Sequence, residues 1–498
     1  MRIFAKCLLT FAVLIAVPGT RAEPGRLVQD IWNAAYLGKA KAGYFHTSVR
    51  EIEQNGKKLF RTVSELRLTV MRETEQITLR METGSDETEE GVVTRVMMRQ
   101  FLGKQQQLVL IGTVENGELH VRVDGGKRQE KRIPWNDKVV GLYRQERLFQ
   151  ERHVKPADTF SYLSYEPTIN SVVNTQVFVK NYENPVAGRA RQPLLRVEAV
   201  PDKVAGLQLP TLVSWLGDDL QTVRSEVPIP GLGKLTLERT SEGEATKKSS
   251  AATVAGINSL VPLNRPIANP YQTRSAVYRI TLKDDENPAS AFAQDSRQEI
   301  KNVEASSFNL HVKALRRPEP VQEESTVGDE FLSSSFFINS EDPNVKRRAL
   351  EAVGSTVDPW EKALKIEKYV HERMVNKNLT EAFATADQVA QTMEGDCTEH
   401  AVLAAAMCRA VGVPSRTAIG LVYVDHPRRG PSMGFHMWAE VWVHGRWMPI
   451  DATLGQGYVG AAHIKITDHS WHKTESLTPL LPVVRVLDKL TIEVLKAE

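Results

Sequence analysis

Between about Tyr44 and Glu238 apolar and polar residues alternate in runs instead of recurring every three or four positions. "TEQITLRMETG", "TRVMMRQFLGKQQQLVLIGTV" and "GELHVRVDGG" are rich in β-branched and long apolar residues at alternate places, as expected of strands with one buried face. "LLRVEAV", "QTVRSEV" and "KLTLERT" continue the pattern. Asn55-Gly56, Gly84-Ser85, Asn116-Gly117 and Gly125-Gly126 are predicted turns between them. Two stretches read as helical, a short start "GRLVQDIWNAAYLGKAKAG" and the later "NDKVVGLYRQERLFQER". The pattern predicts a large antiparallel sheet curved around a helix.

The periodicity then changes. "SEGEATKKSSAATVAG" (241–256) is small, polar and unperiodic, and reads as a linker. "SAVYRITLKD" and "SSFNLHVKAL" predict a short β module, and "RRPEPVQEESTVGDE" a second loop. From about Phe331 the period is helical. "DPNVKRRALEAVG" and "DPWEKALKIEKYVHERMV" each open on Asp-Pro, and proline suits the first helical position. "ATADQVAQTM" is a third helix and "GDCTEHAVLAAAMCRAVG" a fourth. The expected class is α+β, with a β-rich domain at 23–240, a linker at 241–273, the β module at 274–330 and a helix-bearing domain at 331–498.

A chain of 498 residues exceeds one ordinary core. Its 41% hydrophobic and 25% charged content describe a globular protein. A formal net charge of +2 gives no broad basic field, so no nucleic-acid partner is expected. Arg2 and Lys6, the apolar run "CLLTFAVLIAV" and the small residues up to Ala22 have the build of a secretory signal peptide spanning 1–22. Export to the periplasm or beyond is therefore expected. No later run approaches about 18 apolar residues, so no stable membrane span is expected in the mature chain.

Beyond Cys7 the chain's cysteines are Cys397 and Cys408. On one straight helix eleven residues separate them by about 16 Å, too far for a disulfide. Such scarcity excludes a four-cysteine zinc site, and no metal or cofactor is expected. Asp396 can cap the fourth helix, with Glu399 completing a capping box. Cys397 then occupies the first helical position, facing the positive end of the helix dipole beside a main-chain N–H without intrahelical acceptor. That position suits a nucleophile with an oxyanion donor, whereas Cys408 reads as packed core.

A thiol nucleophile needs a base, and the base an orienter. In "GFHMWAEVWVHGRWMPIDATLGQG" two alternating runs flank His444-Gly445, a two-residue hairpin turn. With Val443 opposite Arg446, Trp438 falls opposite Asp451. His436 lies two residues along on the same face, which makes Asp451 its diagonal neighbour.

These motifs, "GDCTEHA" followed by "FHMWAEVWVHGRWMPIDAT", resemble the transglutaminase-like superfamily of papain-like cysteine enzymes, from about Phe331 to Thr467. The resemblance implies Cys397 as nucleophile, His436 as general base and acid, and Asp451 as orienter. It also implies a cysteine-bearing helix packed on an antiparallel sheet that carries the histidine and the aspartate. The implied activity is cleavage or transfer of amide acyl groups through a thioester, on a protein or peptide substrate, with hydrolysis favoured slightly. His426, in "VDHPRRGPS", is the weaker base candidate, and His400 and Gln391 are possible cleft residues. His463, His469 and His472 are expected to lack carboxylate or cysteine partners. Trp438, Trp442 and Trp447 read as hairpin packing. The β-rich region, by strand pattern alone, resembles the open half-barrels of periplasmic lipid and lipoprotein carriers. It leaves two noncatalytic alternatives, a cell-envelope binding or assembly protein and a lipid or wall-fragment carrier.

Overall fold

The computed structural model describes residues 25–498 apart from 73–74, 102–106, 125–128, 186–191, 205–207, 230–231, 249–259, 320–325, 376–382, 428 and 473–477. The expected signal peptide, the Gly125-Gly126 turn and residues 249–256 of the linker lie outside the described residues.

The chain is mostly antiparallel β, with its longer helices gathered in the C-terminal part. Fourteen strands form one N-terminal sheet. Its path starts in the middle at Arg26–Leu37 and meanders outward to an edge strand at Gln129–Pro134. It crosses by way of the helix Leu142–Glu151 to the opposite edge, Thr159–Glu166. From there it meanders back until Gly233–Thr240 pairs antiparallel with Arg26–Leu37. The crossing helix is pinned by its first turn. The buried Glu87 carboxylate accepts the main-chain N–H of Tyr143 (2.9 Å) and of Arg144 (3.2 Å), while Ser85 Oγ accepts that of Leu142 (2.9 Å). An acid at a helix N-terminus meets both the free donors and the dipole.

The expected helical start is overturned: Arg26–Leu37 and Ala40–Gln54 are strands joined by the two-residue turn Gly38-Lys39. Pairing on both sides of Arg26–Leu37 satisfies its main chain, and this tertiary context outweighs a weak local preference. Gly84-Ser85 is likewise no turn but lies inside the strand Glu75–Glu87. Asn55-Gly56 and Asn116-Gly117 do form turns, all four residues having positive φ.

In the C-terminal part Leu260–Pro262, Gly430–Val443, Ser415–His426 and His463–His469 form a sheet in that order, and Arg446–Ile450 pairs along the far half of Gly430–Val443. One face, through Met437, Ala439, Val441 and Val443, packs on the helices. Cys397–Ala410 is the central helix, its residues 399–409 buried between the sheet and the helices Pro343–Val353, Pro359–Arg373 and Ala386–Thr392. Asp342 and Asp358 cap two of these with side-chain oxygens, each followed by proline.

The β module covers part of the same sheet from the other side. Its strands run Gln298–Lys301, Ser307–Lys313, Ser275–Leu282 and Leu490–Ala497, so the chain's last strand completes it. Tyr278, Ile280, Phe308 and Leu310 share a core with Leu421, Tyr423, Met433 and Ile464. Leu260–Pro262, within the stretch read as linker, is an edge strand of the neighbouring sheet. Module and helix-bearing part are therefore interlocked.

Candidate active site

The cysteine helix begins as its sequence dictates. Asp396 Oδ1 accepts the N–H of Thr398 (2.8 Å), and Glu399 Oε2 accepts that of Asp396 (2.9 Å), a complete capping box. Glu399 is buried and its other oxygen accepts the N–H of Ala384 (3.0 Å). Burial, and then the adjoining Asp396 carboxylate, push it up to about 8. The Glu399 side chain fills the space beside Gly395, where a Cβ would lie 2.4 Å from Glu399 Cβ, and φ there is +146°. Only glycine fits that entry to the helix.

Cys397 is half-buried at the first helical position, and both cysteines are free. Cys408 is wholly buried in the same helix, and burial pushes its thiol up to about 12. One thiol is reachable and the other is core.

The hairpin has the register expected from its turn. Val443 pairs with Arg446 and Ala439 with Ile450, and His444 and Gly445 both have positive φ. Asp451 follows one residue past the end of the second strand rather than on the sheet itself. His436 Nε2 lies 2.8 Å from Asp451 Oδ2. The remaining nitrogen, Nδ1, is left for Cys397, whose side chain lies close enough to the ring to raise its hold on the proton. Burial alone would drive His436 toward its neutral form. The Asp451 charge and then Cys397 outweigh it, and the ring holds its proton well above the usual histidine range. Asp451 is buried too, yet His436 and then His463 keep it ionised far below the usual carboxylate range. Cys397 and Asp451 thus both act on the His436 ring.

Asp451 is over-determined. Oδ1 accepts the N–H of Thr453 (2.9 Å) and of Leu454 (3.4 Å). Glu367, buried on the helix Pro359–Arg373, accepts the N–H of Gly457 (2.9 Å), with the Asp451 and Gln456 main chain near enough to steady its charge. It clamps the loop that carries the aspartate. Burial is the largest influence on Glu367, and it stands at about 7.

One expectation fails. His463 does have a carboxylate partner: its Nε2 lies 3.1 Å from the same Asp451 Oδ2. The donor atoms of His436, Asp451 and His463 all lie within 4.8 Å of one another, the one such group among the described residues. Both nitrogens touch Oδ2 at hydrogen-bond distance, and Oδ1 is taken by main-chain amides, so the cluster is one of shared protons. No local pattern announced His463. It arrives through pairing of Ser415–His426 with His463–His469, and Glu367 through helix packing.

The weaker candidates fall elsewhere. Gly420 pairs with His436, and His426 lies six residues along that strand, about 20 Å away. Gln391 is exposed at the end of its helix. His400 is buried, its Nδ1 donating to the Asp396 carbonyl (2.6 Å). His469 Nδ1 accepts the N–H of Trp471. Trp438 is fully buried beside His436 and His463, whereas Trp442 and Trp447 pack on each other.

On the same sheet face a buried ionic network ties the module to the sheet. Lys465 Nζ reaches Glu440 (3.1 Å), Asp468 (3.2 Å) and Asp295, and Arg416 pairs with Glu440 (2.8 Å).

Residues 346–452 match the model of the transglutaminase-like superfamily, a span that holds Cys397, His436 and Asp451 and ends before His463. No curated protein matches the chain. Among solved structures the chain is similar to a candidate cysteine protease from Cytophaga hutchinsonii, at 15% identity over 45% of this chain and 87% of that one, with TM-score 0.30. It is also similar to a beta-barrel-like protein of a domain of unknown function from Brucella abortus (11% identity, 44% of this chain and 98% of that one, TM-score 0.33). A third is a candidate protease from Parabacteroides distasonis (11% identity, 80% and 64%, TM-score 0.19).

Proposed function

From a transglutaminase-like segment at 346–452, we propose that this chain is an exported cysteine enzyme that cleaves or transfers the acyl group of an amide, with hydrolysis the favoured outcome. The observation that carries the reading is the His436–Asp451 pair at 2.8 Å with Cys397 in electrostatic reach of the same ring. With its proton already held at His436 Nδ1, Cys397 Sγ attacks the carbonyl carbon of a protein or peptide substrate. The new C–S bond makes a tetrahedral oxyanion, which the Cys397 N–H is placed to meet. As the C–N bond breaks, His436 returns the proton to the departing amine and a thioester remains. Water then attacks the thioester carbonyl, His436 takes its proton, and the acid and free thiol are released. A primary amine entering in place of water gives acyl transfer by the same steps.

The test uses iodoacetamide, a peptide library and a labelled primary amine. Cys397 should label much faster than Cys408 near pH 7, and Cys397→Ala should abolish turnover. Free acid marks hydrolysis and incorporated label marks transfer. Equal, slow labelling of both thiols would refute the nucleophile.

The carrier reading of the N-terminal sheet has less support. The cavity between that sheet and its helix, lined by Met81, Val93, Val96, Trp135 and Tyr165 among others, is about 200 Å³. Ligand pockets usually hold about 300–1,000 Å³, more than this cavity offers. Export rests on the first 22 residues. It predicts a periplasmic or secreted mature protein beginning at Glu23, as N-terminal sequencing would show. Among the described residues no helix is long and apolar enough to cross a membrane.

A further inference from the structure

His463 has no part in the steps above, yet it shares the oxygen on which they depend. Its Nε2 and that of His436 both contact Asp451 Oδ2, at 3.1 and 2.8 Å. A carboxylate oxygen only accepts, so both nitrogens carry hydrogen. The carboxylate cannot rotate to favour one ring, because Oδ1 is held by the N–H groups of Thr453 and Leu454. His463 is equally fixed. Its ring stands edge-on to Trp438 (5.5 Å, 87°), and the preceding residues are gripped from the module. Tyr278 Oη donates to the Ala461 carbonyl (3.0 Å) and Arg297 Nη2 to that of Gly460 (3.0 Å). His463 Nδ1 is buried and without a hydrogen-bond partner, and a hydrogen there would be unsatisfied. The ring is therefore neutral, with its proton on Nε2.

We infer that His463 is a positioning residue for the proposed triad: its Nε2–H occupies the Asp451 oxygen that holds His436, and so limits how tightly that oxygen retains the His436 proton. A hydrogen bond to the carboxylate stabilises its charge, and an oxygen shared between two donors gives less to each. Without the limit, His436 would keep its proton too firmly to return it to a leaving amine. Burial, the largest influence, pushes His463 down to about 4 against the pull of Asp451, and the His436 and Arg297 charges act in the same sense as burial. Cys397 faces His436 from the cysteine helix. Glu367, Tyr271 and His400 are the further titratable groups within electrostatic reach of Asp451. The family match ends at residue 452, before His463.

The inference rests on the Cys397–His436–Asp451 reading, and the experiment separates the two. Cys397 labelling by iodoacetamide is followed against pH in the full chain, where the alkaline step marks loss of the His436 proton. His436→Ala must leave only the rise of the unassisted thiol's own ionisation; if the wild-type profile persists unchanged, the triad reading fails, and this inference with it. With the step assigned, His463→Leu should move it upward by about half a pH unit or more. His463→Gln, whose Nε2 amide can still donate to Oδ2, should bring it back. His463→Asn, whose amide stops short of Oδ2, should repeat the upward shift and serves if the leucine variant does not fold. A merely structural role would let Asp451 drift from His436 and move the step down. A step unmoved or lowered in the variants lacking the donor would overturn the inference.

Discussion

Asp451→Asn is the sharpest perturbation the site allows, because it keeps shape and changes only which atoms can accept. Asp451 accepts four hydrogen bonds, two from imidazole nitrogens at Oδ2 and two from main-chain amides at Oδ1. Asparagine offers one accepting oxygen. If that oxygen serves Thr453 and Leu454, its NH2 faces His436 and His463. Each ring can then relieve the clash by moving its proton from Nε2 to Nδ1. For His436 that turns the base around, so the nitrogen facing Cys397 carries a hydrogen and cannot take the thiol proton. The reverse choice leaves two buried amides facing NH2, at about 1–3 kcal/mol each, so a stability loss of about 3 kcal/mol is expected. The functional loss is larger. With no acceptor for its proton, Cys397 loses the help of its base. Iodoacetamide labelling of Cys397 should fall about 10²-fold at pH 7. Thermal unfolding monitored in parallel separates the two effects. A variant that labels Cys397 at the wild-type rate at pH 7 would refute the proposed proton path.

Three further outcomes are expected. Gly420 pairs with His436, and a Cβ there would lie 1.9 Å from the Ile464 carbonyl oxygen, so Gly420→Ala should destabilise by about 3 kcal/mol in chemical denaturation. Lys465→Met leaves the buried Glu440 without its main cation and weakens the module's tie to the sheet. A loss of about 3–5 kcal/mol is expected, visible as a lower midpoint in urea. Glu367, at about 7 when folded against about 4.5 when unfolded, binds its proton more tightly in the folded state. Its contribution is full below pH 4.5 and is lost as pH rises through 7, roughly 3 kcal/mol in all, and Glu367→Gln should flatten thermal stability between pH 5 and 7.

Legibility in the sequence followed the range of the interaction. The capping box of Asp396 and Glu399, the Asp-Pro helix starts and the two-residue turn at His444-Gly445 each need only a few neighbouring residues. The turn even set the register that carries His436 toward Asp451, since a hairpin of fixed loop length leaves no freedom of pairing. The start of the chain misled, because strand pairing to Gly233–Thr240, some two hundred residues on, outweighs local helical preference in Arg26–Leu37.

Chemistry-bearing residue types and their order were thus determined by the sequence itself. A reachable Cys397, a buried Cys408 and a His–Asp hairpin all follow from local periodicity and turn chemistry. Only the tertiary structure decided the rest. It brought His463 onto the shared oxygen, set Glu367 under the Asp451 loop, and joined the last strand to the module beside the site. The physical reason is that a buried carboxylate must have every lone pair satisfied. The donors that do so come from wherever the packed chain can supply them, and no spacing along the sequence records which those are.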